Sequence, residues 1–225
     1  MIATIAIESI GVCLDPQVIW QGTTNRCHPG ASRSVANAIP PPPGWLYSHT
    51  KSHWQTPATF IDFLRNIIVP DRIATIARLG LRDDQKALVK MDLHYSHSDP
   101  SVLSFMKENH LLPLYVPACC TDVIQECDTT VANRPFKVAM KDAYRDYIHH
   151  IYTEWVAANP NYRDLIFYPK LTMGVMKPQL PDFIAAGLRH LGRPPLPRLS
   201  RRRSLKTDIL LPCAAKSVIW LLQLH

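Results

Sequence analysis

No apolar run in the 225 residues approaches the length of about 20 needed to cross a bilayer as a helix. The longest late one, Ser217-Val218-Ile219-Trp220-Leu221-Leu222-Gln223-Leu224, is far too short. Membrane-spanning functions are therefore not expected. The N-terminal run Met1 to Ile7 lacks the basic flank of a signal peptide and is followed by Glu8, so it reads as a strand. The six cysteines contain no Cys-x-x-Cys pair, and Cys119-Cys120 are adjacent, a poor arrangement for one metal. Scattered reduced thiols of an intracellular chain are the expectation. Ser96 stands between histidines, but no Gly-x-Ser-x-Gly surrounds it, which removes the strained elbow of a serine hydrolase. There is no internal repeat. Acid is also missing where it matters: between Arg189 and Lys206 the chain carries seven basic residues and no acidic one.

That last absence locates the charge. The formal net charge is +7, and the segment from Arg189 to Lys206 supplies all of it. The rest of the chain sums to neutral. The basic pI therefore points to a basic segment, with Arg201, Arg202 and Arg203 as candidate phosphate contacts or a nuclear-import run, and not to a basic groove on the folded part.

The hydrophobic pattern places the elements. Ile5 and Ile7 alternate, and Val18-Ile19-Trp20 form a second short apolar run beyond Gly11, which predicts two strands around a turn. Ser32 to Gly44 reads as a loop with Pro40 to Pro43 in polyproline II. Thr56 is a good N-cap, Pro57 suits the first helical position, and Phe60, Phe63, Leu64, Ile67 and Ile68 form a stripe that Pro70 should stop. A second helical piece is expected over Asp71–Leu79, ending at Gly80. Ala87 to Met91 is a strand that delivers Asp92. Asp99 and Pro100 open a helix running to about Asn109. Leu111 to Val116 is a strand whose Pro113 lacks an amide hydrogen and so belongs at a sheet edge. A long helix spans about Pro135 to Ala158 and a shorter one Pro181 to Leu191.

Two aspartates carry the chemistry. Asp92 follows Leu88-Val89-Lys90-Met91 and opens Asp92-Leu93-His94-Tyr95-Ser96-His97; Asp128 follows with 35 residues between and precedes the long helix. A carboxylate at a strand end and another before a helix can converge on one hard divalent cation, which takes oxygen ligands. Asp92, His94 and His97 also admit a zinc reading, but a full site needs three or four ligands and no other His/Cys pair has matching spacing.

Five segments in order resemble the DDE superfamily endonucleases, the pogo/Tigger-type transposases and their centromere protein B-like relatives. They are Met1 to Ala6 with Pro16 to Pro29, then Gly44-Trp45 with Ser52-His53-Trp54, then the words around Asp92 and Asp128, and last Met176-Lys177-Pro178 with the helix after it. The resemblance runs from about Met1 to Leu191. It implies an α/β fold, a ribonuclease H-like mixed sheet flanked by helices, over 1–191, followed by a basic Pro/Arg-rich tail over 192–225 that reads as disordered. It implies that Asp92 and Asp128 are the second and third catalytic acids and metal ligands. His94 and His97 would lie behind the metals, with His97 orienting the loop. Mg²⁺ or Mn²⁺ would be the cofactor, DNA the partner, and the nucleus the location; a homo-oligomer is compatible with the family. The ancestral chemistry is metal-dependent DNA strand cleavage and transfer.

The chain departs from the pattern. Gln125-Glu126-Cys127-Asp128 stands where the family has Gln-Pro-Leu-Asp, and Lys90 interrupts a strand that is otherwise apolar. The family's first acid and its helix-turn-helix would lie upstream of Met1, so the expectation is an N-terminally truncated, inactive remnant that binds nucleic acid. The alternative is a domesticated, non-catalytic protein-interaction module. The missing first strand is central, between Met1–Ile7 and Ala87–Met91. Direct pairing of those two strands is one way to close the gap. Insertion of Ser217–Leu224 as a surrogate, less favoured by the sequence, is the other.

Overall fold

A computed structural model describes residues 1–8, 11–30, 39–117, 133–169, 171–191 and 218–224. Its centre is a six-stranded mixed sheet. The strands are β1 (Ile2–Glu8), β2 (Gln17–Gln21), β3 (Leu46–Thr50), β4 (Ala87–Asp92), β5 (Leu111–Val116) and β6 (Val218–Leu224), in the spatial order β3-β2-β1-β6-β4-β5. β1 is antiparallel to β2 and to β6, whereas β2–β3, β6–β4 and β4–β5 are parallel pairs. β1 therefore runs against the other five, whose C-terminal ends all reach the same end of the sheet.

The gap between β1 and β4 is closed by β6. Its register runs from Ala3 opposite Leu224 to Glu8 opposite Ile219 on one side, and from Leu88 opposite Val218 to Lys90 opposite Trp220 on the other. Direct pairing of β1 with β4 does not occur. A seven-residue strand supplies ladder partners to two internal edges at once, and unpaired internal edges would leave buried amides and carbonyls unsatisfied. Seven residues of the segment expected as a tail are thus strand; 192–217 lie outside the described residues.

Helices cover both faces. On one, α1 (Pro57–Phe63), a π turn (Leu64–Ile68), α2 (Val69–Leu79) and α3 (Pro100–Glu108) bury Phe60, Phe63, Leu64, Ile68, Val102 and Met106 against Ala6, Val89 and Met91. Each fully buried large apolar side chain contributes about 1.5–3 kcal/mol. On the other face, α4 (Asn133–Ala158) and α5 (Leu180–Leu191) set Phe136 and Ile184 against Ala3, Ile5, Val18 and Trp20. β1 buries alternate residues on both faces, as a central strand must.

The local signals explain the boundaries. Thr56 caps α1 in a capping box with Thr59, and Pro57 occupies the first turn. Pro70 does not stop this helix. The preceding turn widens instead, the Val69 amide bonding the Leu64 carbonyl five residues back. Pro70, which has no amide to offer, is then accepted at the start of α2. Gly80, with φ of 60°, ends α2 in the left-handed conformation. Asp99 caps α3 through the Ser101 amide, and Pro113 lies in β5 at the sheet edge, both as the sequence predicts. β3 is an addition: Leu46-Tyr47-Ser48-His49-Thr50 is short and mostly polar, with no strong strand signal of its own. The buried Arg72 of α2 fixes the entry to β4, its guanidinium donating to the carbonyls of Asp83 and Gln85.

Candidate functional site

Asp92 is the last residue of β4, at the end of the sheet where five strands terminate. It is level with Val116, the last residue of β5. Crevices at the carboxyl ends of strands are where α/β sheets place ligands, because loops there can vary without disturbing the ladder. Asp92 is half-buried. Its Oδ1 lies 3.0 Å from Nδ1 of His97, whose side chain is 1% exposed.

His97 is held from every side. A turn brings its amide to the carbonyl of His94 at 2.9 Å, so the ring folds back over the end of β4. Nδ1 also lies 3.1 Å from the Asp92 carbonyl, and Nε2 lies 2.8 Å from Oε1 of Gln55. The Gln55 amide nitrogen donates to the hydroxyl of Thr4 on β1 at 3.1 Å. The ring packs on Phe60 of α1, with centroids 4.4 Å apart. Tyr115 of β5 donates to the His97 carbonyl, and Tyr95 to the Gln55 carbonyl, each at 2.9 Å. The chain Asp92–His97–Gln55–Thr4 therefore links β4 to β1 through the segment preceding α1.

This network sets the charge on Asp92. Burial alone pushes its carboxyl up. The His97 hydrogen bond and the nearby His97 and His94 rings outweigh burial and hold it below the ordinary value of 3.8. Asp92 is an anion at neutral pH with one oxygen already engaged. His94 plays a different part: its Nδ1 lies 2.7 Å from the Ser96 hydroxyl, and its ring sits beside Tyr95 and His97. Ser96 is fully buried and bonded, not presented as a nucleophile.

Of the sequence candidates, the structure brings together Asp92, His94 and His97. Asp128 and Arg201, Arg202 and Arg203 lie outside the described residues. β5 ends beside Asp92, and α4 begins at Asn133, five residues after Asp128. Lys90, buried in β4, precedes Asp92 by two residues and shares its face. Gln55 was not legible as a site residue; the single hint was its place beside the Thr56 cap.

The described part of this site does not by itself supply a full ligand set for a divalent cation. Mg²⁺ and Mn²⁺ need several oxygen donors, and among the described residues Asp92 has one carboxylate oxygen on His97, whose ring nitrogens are both engaged. Among the described residues, the grouping of three side chains able to hold a metal lies elsewhere, at Cys27, His28 and His49. Adjacent Cys27-His28 and a histidine 21 positions later gave no ligand spacing in the sequence, because the pairing of β2 with β3 is what joins them.

No described helix is long and apolar enough to cross a membrane. Searches among curated proteins and among solved structures give no match. The family model of the DDE superfamily endonucleases matches residues 2–174, more than three quarters of the chain, and spans the strands and turns that build the Asp92 site. The chain belongs to the DDE superfamily endonuclease family.

Proposed function

We propose that this chain is a nucleic-acid-binding derivative of a pogo-type DDE transposase, with a ribonuclease H-like sheet and without strand-cleaving activity. One observation carries the reading: β6 occupies the position between β1 and β4 that belongs to the family's first, acid-bearing strand, and Val218–Leu224 contains no acid. Its directions, antiparallel to β1 and parallel to β4, suit a first strand of that sheet. An in-line displacement with two metals needs ions on both sides of the scissile phosphate. Asp92 next to an acid-free strand does not supply that, and we assign no chemical step to this chain. Asp128 is proposed to converge on Asp92 from the segment before α4 and to share one weakly held Mg²⁺ or Mn²⁺.

DNA is the proposed partner, the nucleus the proposed location, and Arg201, Arg202 and Arg203 the proposed phosphate contacts. Self-association is proposed with the family and is read by light scattering. The test uses the full chain, since truncation at Leu191 would also remove β6. Duplex binding is titrated against salt for the parent and for a variant with all three arginines replaced by glutamine. Loss of three phosphate contacts should lower the slope of log K against log salt by about 2–3. An unchanged slope rejects the contact assignment. Nicked and blunt duplexes are incubated with Mg²⁺ and Mn²⁺ in parallel. Cleavage that disappears in both Asp92→Ala and Asp128→Ala would overturn the inactive reading.

A further inference from the structure

We infer that Cys27, His28 and His49 form a binding site for a single borderline transition-metal ion, Zn²⁺ by ligand chemistry, separate from the Asp92 site. The site is built by the fold. β2 and β3 pair in parallel with Trp20 opposite His49, and a short 3-10 turn (Asn25–Cys27) after β2 carries Cys27 and His28 back over the β3 edge. One thiol sulfur and one nitrogen from each imidazole lie within 4.8 Å of one another. A tetrahedral zinc with bonds of about 2.0–2.3 Å needs ligand atoms roughly 3.5 Å apart, so modest side-chain rotations close the set.

Three further observations point the same way. Nε2 of His28 is buried without a hydrogen-bond partner, a costly state that a metal bond would relieve. The two imidazoles stand edge to face with centroids 5.6 Å apart and no carboxylate is in the set, so the donors are soft and nitrogenous and do not suit Mg²⁺. Gly22 makes room for the thiol: a Cβ there would sit 2.4 Å from Cys27 Cβ and 2.9 Å from its sulfur. One thiolate and two imidazoles leave the fourth position to water. Binding displaces the Cys27 proton to solvent, against burial, which pushes that thiol up. Lys177, whose charge reaches both Cys27 and His28, favours the thiolate but opposes the cation, so moderate affinity is expected. Asp92 is four strand positions away, roughly 19 Å at about 4.8 Å per strand.

The experiment titrates the purified full chain with Co²⁺ alone and then displaces it with Zn²⁺. The expected result is one equivalent bound in four-coordination with a thiolate charge-transfer band. That band should vanish in Cys27→Ser, and the affinity should fall at least tenfold in His49→Ala. A Cys119→Ser/Cys120→Ser variant should keep both. As a readout independent of variant folding, stoichiometric Zn²⁺ should slow alkylation of Cys27 in the parent chain at least tenfold, mapped by peptide mass. A charge-transfer band that survives in folded Cys27→Ser, or an alkylation rate at Cys27 unmoved by Zn²⁺, overturns the proposal.

Discussion

His97 and Asp92 hold each other at the end of β4, with Nδ1 of the buried imidazole 3.0 Å from Oδ1 of the carboxylate. The ring is fixed on its far side by Gln55 and on its face by Phe60, so the imidazole is part of the core and anchors the half-buried carboxylate. His97→Ala removes the packing on Phe60 and the imidazole's bonds to Asp92 and to Oε1 of Gln55. It should destabilise the chain by about 2–4 kcal/mol in urea unfolding. A loss below about 0.5 kcal/mol would mean that the network does not support the fold. Acid provides a second readout. The folded Asp92 carboxyl lies below its ordinary value, so its contribution to stability is present above about pH 4 and is lost as pH falls through the lowered folded value. Asp92→Asn should flatten that acid limb of the stability profile.

The contact between α4 and α5 depends on one missing methyl group. A Cβ at Gly187 would sit 2.5 Å from Cε2 of Phe136, a ring that is fully buried against Trp20 and Ile184 and cannot swing away. Gly187→Ala gains about 1 kcal/mol of helix propensity. Overpacking costs about 1–3 kcal/mol, and against so confined a ring its upper range applies. The net expectation is a loss of about 1–2 kcal/mol, read as a lower urea midpoint. A stabilised variant would show that the two helices are not seated this closely.

Glu8 and Asp71 form a carboxyl pair at the end of β1 beside α2. Burial first, then a hydrogen bond that protonated Asp71 donates to Glu8 and repulsion by Glu8, push Asp71 up to about 7, while Arg78 opposes the shift. Arg78 also lies 3.6 Å from Glu8. Because the folded value is raised, the folded chain holds a proton that the unfolded chain has released. Stability from this group is full below about pH 4 and is lost as pH rises through about 7. Asp71→Asn should therefore gain stability relative to the parent between pH 4.5 and 7.5. Parallel thermal melts that keep a constant difference across that range would contradict the pairing.

Much of this architecture was legible because short local rules decide it. Thr56-Pro57, Asp99-Pro100 and Gly80 mark helix ends through capping and backbone freedom, and Pro113 announces an edge through its missing amide. Asp92 stood out as an acid closing an apolar run. What was not legible depends on distant partners. Pro70 breaks a regular helix, but not one whose previous turn has widened. β3 is polar and short, and only β2 makes it a strand. Val218–Leu224 is apolar enough to be a strand anywhere; its insertion follows from an edge vacancy at β4, which ends at Asp92, 126 positions before Val218. Gln55, and the meeting of Cys27 with His49, exist only once the sheet has formed.

The last prediction tests whether β6 truly stands in for an acid-bearing strand. Its parallel register with β4 is fixed at Leu88–Val218, Val89–Ile219 and Lys90–Trp220, and the same register continued for two steps would bring Leu222 level with Asp92. An aspartate at that position would give Asp92 the carboxylate neighbour that the family chemistry uses. Leu222→Asp is therefore expected to raise Mn²⁺ affinity at least tenfold over the parent, measured by displacement from water-proton relaxation. Leu221→Asp, one step out of register, should not. An acid within a central strand has a cost without metal, so Leu222→Asp should be less stable than the parent in chelator and recover part of the loss with Mn²⁺, since ligand binding to the folded state stabilises it. Equal Mn²⁺ affinities for the parent and both variants, with each variant folded by circular dichroism, would reject the equivalence of β6 with the family's first strand. Cleavage of duplex by Leu222→Asp, absent in the double variant with Asp92→Ala, would show that the rest of the catalytic apparatus has survived.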